Sequence, residues 1–204
     1  MWVDIQQNTD EWLLLRSGKV TGSAVGKVMA NYGKAFGDPA KKLAVDIAVQ
    51  QLTGRITESS YSNSHMERGH EQEPIARAMY EDMFFCDVTN GGFFDNGFTG
   101  CSPDGLCDGG IIEIKSVIAS QQYKTLKKDG FDSAYKWQVI FNLNDSDADW
   151  IDYVSYCSEF PFDRQLFVKR YFKHEFTEEI AIMNDRLGEF KVLVDDIKAD
   201  INSI

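Results

Sequence analysis

Two carboxylates and an ammonium, closely spaced, are the residues of this chain best equipped for chemistry. They are Asp104, in Ser102-Pro103-Asp104-Gly105-Leu106, and Glu113 and Lys115, in Ile111-Ile112-Glu113-Ile114-Lys115. Residues two apart in a strand share a face, so Glu113 and Lys115 are expected to project together while Ile112 and Ile114 bury. A hairpin around Asp108-Gly109-Gly110 would bring Asp104 alongside. Two carboxylates suit a hard cation such as Mg2+, which takes oxygen ligands and keeps several waters. An ammonium beside them would orient one of those waters or help to deprotonate it. This is equipment for hydrolysing a phosphodiester. An edge hairpin with a surface ion pair would use the same letters. Against it, the isoleucines make the strand look central, where a charged pair needs a reason.

The elements that must hold these residues are read from periodicity and punctuation. Trp12 to Arg16 reads as a short helix ending near Gly18, and Thr21-Gly22-Ser23 as the start of another over Ala24 to Ala30. Asp38-Pro39 opens a helix through Leu43, Ile47, Ala48 and Leu52 that stops at Gly54. Residues 64–83 read as helical with Met66, Ala76, Tyr80 and Met83 on the apolar side, kinked or restarted at Pro74. From Asp87 to Lys115 the pattern turns to β, punctuated by Asn90-Gly91 and Asn96-Gly97. Helices are expected over about 120–128 and 132–143, and strands over Trp150 to Tyr156 and Leu166 to Phe172. A final amphipathic helix carries Ile180, Met183, Leu187, Phe190, Val194, Ile197 and Ile201. The order predicts an α/β fold with a mixed central sheet flanked by helices.

With 204 residues the chain suits one domain, taken as residues 1–204. There is no apolar run long enough for a membrane span, and Met1-Trp2-Val3-Asp4 does not open like a signal peptide. The four cysteines show no zinc spacing, so the thiols are expected to be reduced and the protein cytoplasmic. A net charge of −11 argues against indiscriminate nucleic-acid binding. It leaves room for a local basic face built from Arg16, Lys19 and Lys27, or from Lys124, Lys127, Lys128 and Lys136.

The Asp…Glu-x-Lys pattern resembles that of the PD-(D/E)XK nucleases, and further segments are similar to the lambda exonuclease and YqaJ-type viral recombinase family. These are Glu11-Trp12 through Arg16-Ser17-Gly18 to Thr21-Gly22-Ser23, then Arg68-Gly69-His70-Glu71-Gln72-Glu73-Pro74-Ile75-Ala76-Arg77. Cys101 to Leu106, Glu113-Ile114-Lys115 and Tyr135-Lys136-Trp137-Gln138-Val139 complete the set, in the family's order. The resemblance implies a Mg2+-dependent 5′-to-3′ exonuclease on linear double-stranded DNA that leaves a 3′ single-stranded overhang for recombination, with Mn2+ as a substitute ion. It also implies a ring-shaped homotrimer, an annealing-protein partner and, if phage-encoded, the host cytoplasm.

Carried over to matching positions, Asp104, Glu113 and the main-chain carbonyl of Ile114 would bind metal. Glu73 would reach a second ion or its water, and Lys115 would position the attacking water. Gln138 would meet the scissile strand. Arg16, Ser23 and Ser102 would hold the 5′-phosphate, and a helix start at Ser23 favours an anion in any case. Otherwise Ser23 or Thr21 merely caps its helix and Arg16 makes a surface ion pair. Met66 falls where relatives insert an apolar wedge between the DNA ends, although Met on a helix is more often core. Three other functions remain open: a restriction-type or structure-specific endonuclease of the same fold, a non-enzymatic DNA-binding relative, and a small-phosphoester hydrolase.

Overall fold

The computed structural model describes residues 1–56 and 64–204, with the side chains of 64–67 and 70 outside the description. Strand β1 (Trp2–Val3) precedes α1 (Asp10–Arg16), β2 (Val20–Thr21) and α2 (Gly22–Met29). Two long helices follow, α3 (Asp38–Thr53) and α4 (Ser64–Phe84). Then come β3 (Phe93–Asp95), β4 (Thr99–Cys101), β5 (Gly105–Cys107) and β6 (Gly110–Ser116). The rest is α5 (Ala119–Lys128), α6 (Lys136–Asp145), β7 (Trp150–Tyr156), β8 (Leu166–Phe172) and α7 (Thr177–Ser203).

The local rules account for most of these boundaries. Thr9 caps α1 by accepting from the Trp12 N–H, and α3 starts with Pro39 in its first turn and ends on a left-handed Gly54. Asp108 and Gly109 both have positive φ, as a two-residue hairpin turn with the twist of its strands requires. A side chain at Gly110 would collide with the Trp150 ring. Asn96-Gly97 joins β3 to β4. Asn90-Gly91 joins no two strands; Gly91 instead lies against the Pro103 carbonyl, where a Cβ has no room.

The expected mixed sheet has the order β5-β6-β7-β8, antiparallel except for the parallel pair β6–β7. A second sheet of very short strands runs β1-β3-β4-β2. Strand β6 is interior to the larger sheet and covered on both faces, so its residues alternate between two cores. Ile111, with Ile151 and Tyr153 of β7, faces the cluster formed by α2, α3, α6 and α7. Ile112 and Ile114 face Ala76 and Tyr80 of α4.

Helix α4 runs through Pro74 without restarting. It is anchored to the sheet by the Tyr80 hydroxyl, which donates to Asp152 at 2.6 Å, and Asp152 is also gripped by two bonds from Arg170. Met83, expected on the apolar side, is half exposed in the last turn of α4, as is its neighbour Phe84. In α7 the predicted stripe buries Met183, Leu187, Phe190 and Val194, but Ile201 projects beyond the core.

Candidate active site

Glu113 is the centre of the cluster. It is 1% exposed, the opposite of a solvated strand charge, so its carboxylate must be satisfied by protein groups. Lys115 Nζ donates to Oε1 at 2.5 Å and Gln138 Nε2 to the same oxygen at 2.6 Å. Asn142 Nδ2 donates to Oε2 at 2.7 Å. Gln138 and Asn142 sit one turn apart on α6, the spacing that puts two side chains on one helix face.

Asp104 arrives by the hairpin. Its N–H donates to the Ile112 carbonyl at 2.9 Å, and its Oδ2 accepts from the Ile114 N–H at 2.6 Å. The Ile114 N–H thus takes part in the site through Asp104. Enclosure, and then the neighbouring Glu113, push the Asp104 carboxyl well above the usual carboxylate range, against the opposing pull of Lys115. Burial alone would lower the Lys115 pKa. Glu113 and Asp104 outweigh it and raise the pKa, so Lys115 stands as a fixed cation.

Glu73 lies on the rim, within 3.7 Å of Arg77 one turn later on α4. Arg77 also donates to the Asp104 carbonyl, tying α4 to the hairpin. Among the described residues no three His, Cys, Asp or Glu side chains converge as a ready cation cage. Two crowded carboxylates, one of them held toward its protonated form by burial and by its neighbour, nonetheless fit a hard cation that keeps its own waters.

Beside Asp104 and Gln138 opens a cavity of about 150 Å3 whose other walls include Arg16, Ser23 and Ser102. Arg16 stacks on the Trp12 ring, 3.9 Å from its centroid. Arg16 Nη1 and Trp12 Nε1 both donate to Ser102 Oγ, at 3.2 and 2.9 Å. Burial lowers the Arg16 guanidinium to about 10, which leaves it charged at neutral pH. Ser23, in the first turn of α2, lies 3.4 Å from the Thr21 hydroxyl. Thr21 occupies the cap position without making a side-chain cap bond, so the first N–H groups of α2 are open to another acceptor.

On the other flank of Lys115 a groove of about 520 Å3 is lined by Ile114, Ser116, Gln121 and Tyr135 among others. It shares Gln121 and Asp132 with a cavity of about 430 Å3 walled by Lys124, Lys127 and Lys128 of α5. Of the other expected cations, Lys19 is paired with Asp95 and Lys136 with Glu179.

The structure thus brings Asp104, Glu113, Lys115 and Gln138 together, sets Arg16, Ser23 and Ser102 in the adjoining cavity, and leaves Glu73 on the rim. Met66 lies in the first turn of α4, and its side chain is outside the described residues. Sequence reasoning missed two members. Asn142 was signalled by a second amide one turn after Gln138, on a helix whose neighbouring residues are apolar. Arg77 was signalled only by its i,i+4 spacing from Glu73.

Comparison with known proteins places this geometry in a lineage. The profile of the YqaJ-like viral recombinase domain matches residues 11–149. The alkaline exonuclease LHK-Exo of Laribacter hongkongensis is 31% identical, with 96% of this chain and 99% of that one covered and a TM-score of 0.79; the same values hold for the structure of LHK-Exo with dAMP. A phage-related exonuclease from Haemophilus somnus 129PT has the same fold at 17% identity and a TM-score of 0.66, over 90% of this chain and 96% of that one. Among curated proteins none matches significantly. No helix among the described residues is long and apolar enough to cross a membrane. The buried carboxylate–lysine cluster and the family match agree: the chain belongs to the YqaJ-like viral recombinase family, with the fold of the PD-(D/E)XK nucleases and the nuclease class of enzyme that goes with it.

Proposed function

We propose that residues 1–204 form one nuclease domain, a divalent-cation-dependent 5′-to-3′ exonuclease that shortens one strand of linear double-stranded DNA and leaves a 3′ overhang. The observation that supports this most is the adjacency of the two sites. Asp104 and Gln138 belong to the acidic cluster and also line the small cavity of Arg16, Ser23 and Ser102. At about 150 Å3 that cavity is below the roughly 300 Å3 at which drug-sized sites begin. Its donors suit an anion such as a terminal phosphate. An enzyme that seats an end phosphate beside its cleavage centre acts from that end.

Asp104 and Glu113 would hold Mg2+ or Mn2+, with the Ile114 carbonyl as a further oxygen and Glu73 near a second ion. When bound, the cation supplies Lewis-acid polarisation of a phosphoryl oxygen and a more acidic water. The protein's own part is electrostatic and positional. Lys115, held as an ammonium against Glu113, offers its remaining N–H groups to water or to charge that develops on the phosphate. Gln138, already bonded to Glu113, stands at the mouth of the phosphate cavity and orients the scissile strand. Arg16 fixes the 5′ end, and the groove beyond Lys115 takes the following nucleotides, leading toward Lys124, Lys127 and Lys128. The solved complex of LHK-Exo with dAMP is compatible with a mononucleotide product.

On the same family footing, a homotrimer threaded by DNA, a single-strand annealing protein as partner and a cytoplasmic setting form part of this proposal. The test is a linear duplex labelled at either the 5′ or the 3′ end, incubated with Mg2+. Release of the 5′ label first supports the reading. First release of the 3′ label, or cutting of covalently closed circles, refutes it in favour of another nuclease of this fold.

A further inference from the structure

We infer that Asn142 is a positioning residue that couples the cation site to the phosphate cavity, holding Glu113 with one end of its amide and setting the approach of helix α2 with the other. The inference rests on the reading of Glu113 as a metal-holding carboxylate. Two of the three donors to Glu113, from Lys115 and Gln138, converge on Oε1. A carboxylate held at one oxygen still pivots about it. The Asn142 bond to Oε2, at 2.7 Å, fixes the plane of the group. Because an ionised carboxylate only accepts, this bond also fixes which way the amide faces.

The other end, Oδ1, is buried and has no hydrogen-bond partner. It abuts Gly22, the first residue of α2, where an added Cβ would fall far inside van der Waals distance of Oδ1. Gly22 is buried and lines the phosphate cavity beside Ser23. Its φ lies outside the left-handed region, so backbone conformation gives no reason for glycine here, and the approach of Asn142 does. One amide therefore spans from the first turn of α2 to the second oxygen of Glu113, Oε2, with no slack between them. Displacing that turn moves Glu113, and rotating Glu113 moves the turn.

The test is a double-variant cycle on the whole chain, with Mn2+ binding followed by calorimetry and initial rates measured on 5′-phosphorylated and 5′-hydroxyl duplexes. Gly22→Ala should push the amide off Glu113 and weaken Mn2+ binding about ten- to a hundredfold, the usual cost of losing a hydrogen bond behind a metal ligand. It should also reduce the preference for the phosphorylated end. Asn142→Ala should weaken Mn2+ binding to a similar degree. In the Asn142→Ala background the added methyl has space, so the double variant should bind Mn2+ as Asn142→Ala does. If Gly22→Ala alone does not fold, recovery of folding in the double variant supports the coupling, and failure to recover overturns it. Parental Mn2+ affinity in Gly22→Ala, or losses that add in full, overturns it too. Glu113→Gln separates the two readings. Mn2+ binding that survives this change removes the metal role of Glu113 and the coupling with it. Binding lost in Glu113→Gln, combined with additive losses at Gly22 and Asn142, overturns the coupling alone.

Discussion

Removing the Arg16 guanidinium should erase the preference for a phosphorylated 5′ end while leaving cleavage chemistry in place. Arg16 is pre-set for this task. It lies over the Trp12 ring, and it shares Ser102 Oγ with the indole N–H. Little side-chain entropy remains to be lost when a phosphate arrives. A hydrogen bond to a charged group contributes about 1.5–3 kcal/mol, and each 1.4 kcal/mol is a tenfold effect. Arg16→Ala should therefore cost about ten- to a hundredfold in kcat/KM on phosphorylated duplex and almost nothing on hydroxyl-ended duplex. Arg16→Lys should recover only part of the loss, because an ammonium cannot make the paired contacts of a guanidinium. The folding cost should be about 2 kcal/mol, the scale of a desolvated cation–aromatic stack such as that on Trp12. The assay compares initial rates on the two substrates at one fixed salt concentration, since added ions screen the contact. Equal slowing on both substrates, or a parent with no preference, would refute the assignment and make Arg16 a general backbone contact.

Lys115→Ala should retain Mn2+ binding but slow turnover by about two orders of magnitude or more, the scale of one preorganised electrostatic group; near-parental single-turnover rates would remove Lys115 from the mechanism. Arg170→Ala should lower stability by about 3 kcal/mol, the low end for breaking a buried pair, because Asp152 is 1% exposed while Arg170 stays partly in solvent. An unchanged urea midpoint would show that the Tyr80 hydroxyl alone satisfies Asp152. The Ala134 N–H and then Gln121 hold the Asp132 carboxyl below its usual range. Its contribution to stability is therefore present above the ordinary carboxylate pKa of about 4 and lost as pH falls toward its lowered value. The stability gap between the parent and Asp132→Asn should shrink between about pH 5 and pH 3, and a gap independent of pH would contradict this.

Strands β7 and β8 were legible to the residue, Trp150–Tyr156 and Leu166–Phe172, because dense β-branched and aromatic runs bounded by turns have few alternatives. Strands β1 and β2 were not, since two residues carry no periodicity. They exist through pairing with partners far along the chain, Trp2 with Phe94 and Val20 with Thr99. Pro74 left a kink and a restart both open, and only the restart is set aside. Proline removes one N–H from a helix, and whether the helix restarts depends on what grips it. Here Ala76 and Tyr80 are buried against the sheet on the C-terminal side, and the helix continues.

The acidic site divides along the same line. Asp104, Glu113 and Lys115 lie within one hairpin, so a local pattern was enough to place them together. What local pattern could not supply was the depth of Glu113. Once a central strand carries a glutamate at 1% exposure, neighbouring elements must deliver donors to it or the fold bears an unpaired buried charge. That requirement points to α6, where Gln138 and Asn142 are set one turn apart among Val139, Ile140, Phe141 and Leu143, all buried. Two amides in such company are costly unless each has a partner. The partner is the carboxylate that the hairpin motif had already identified, and Gly22 is the residue that leaves the second amide room to reach it.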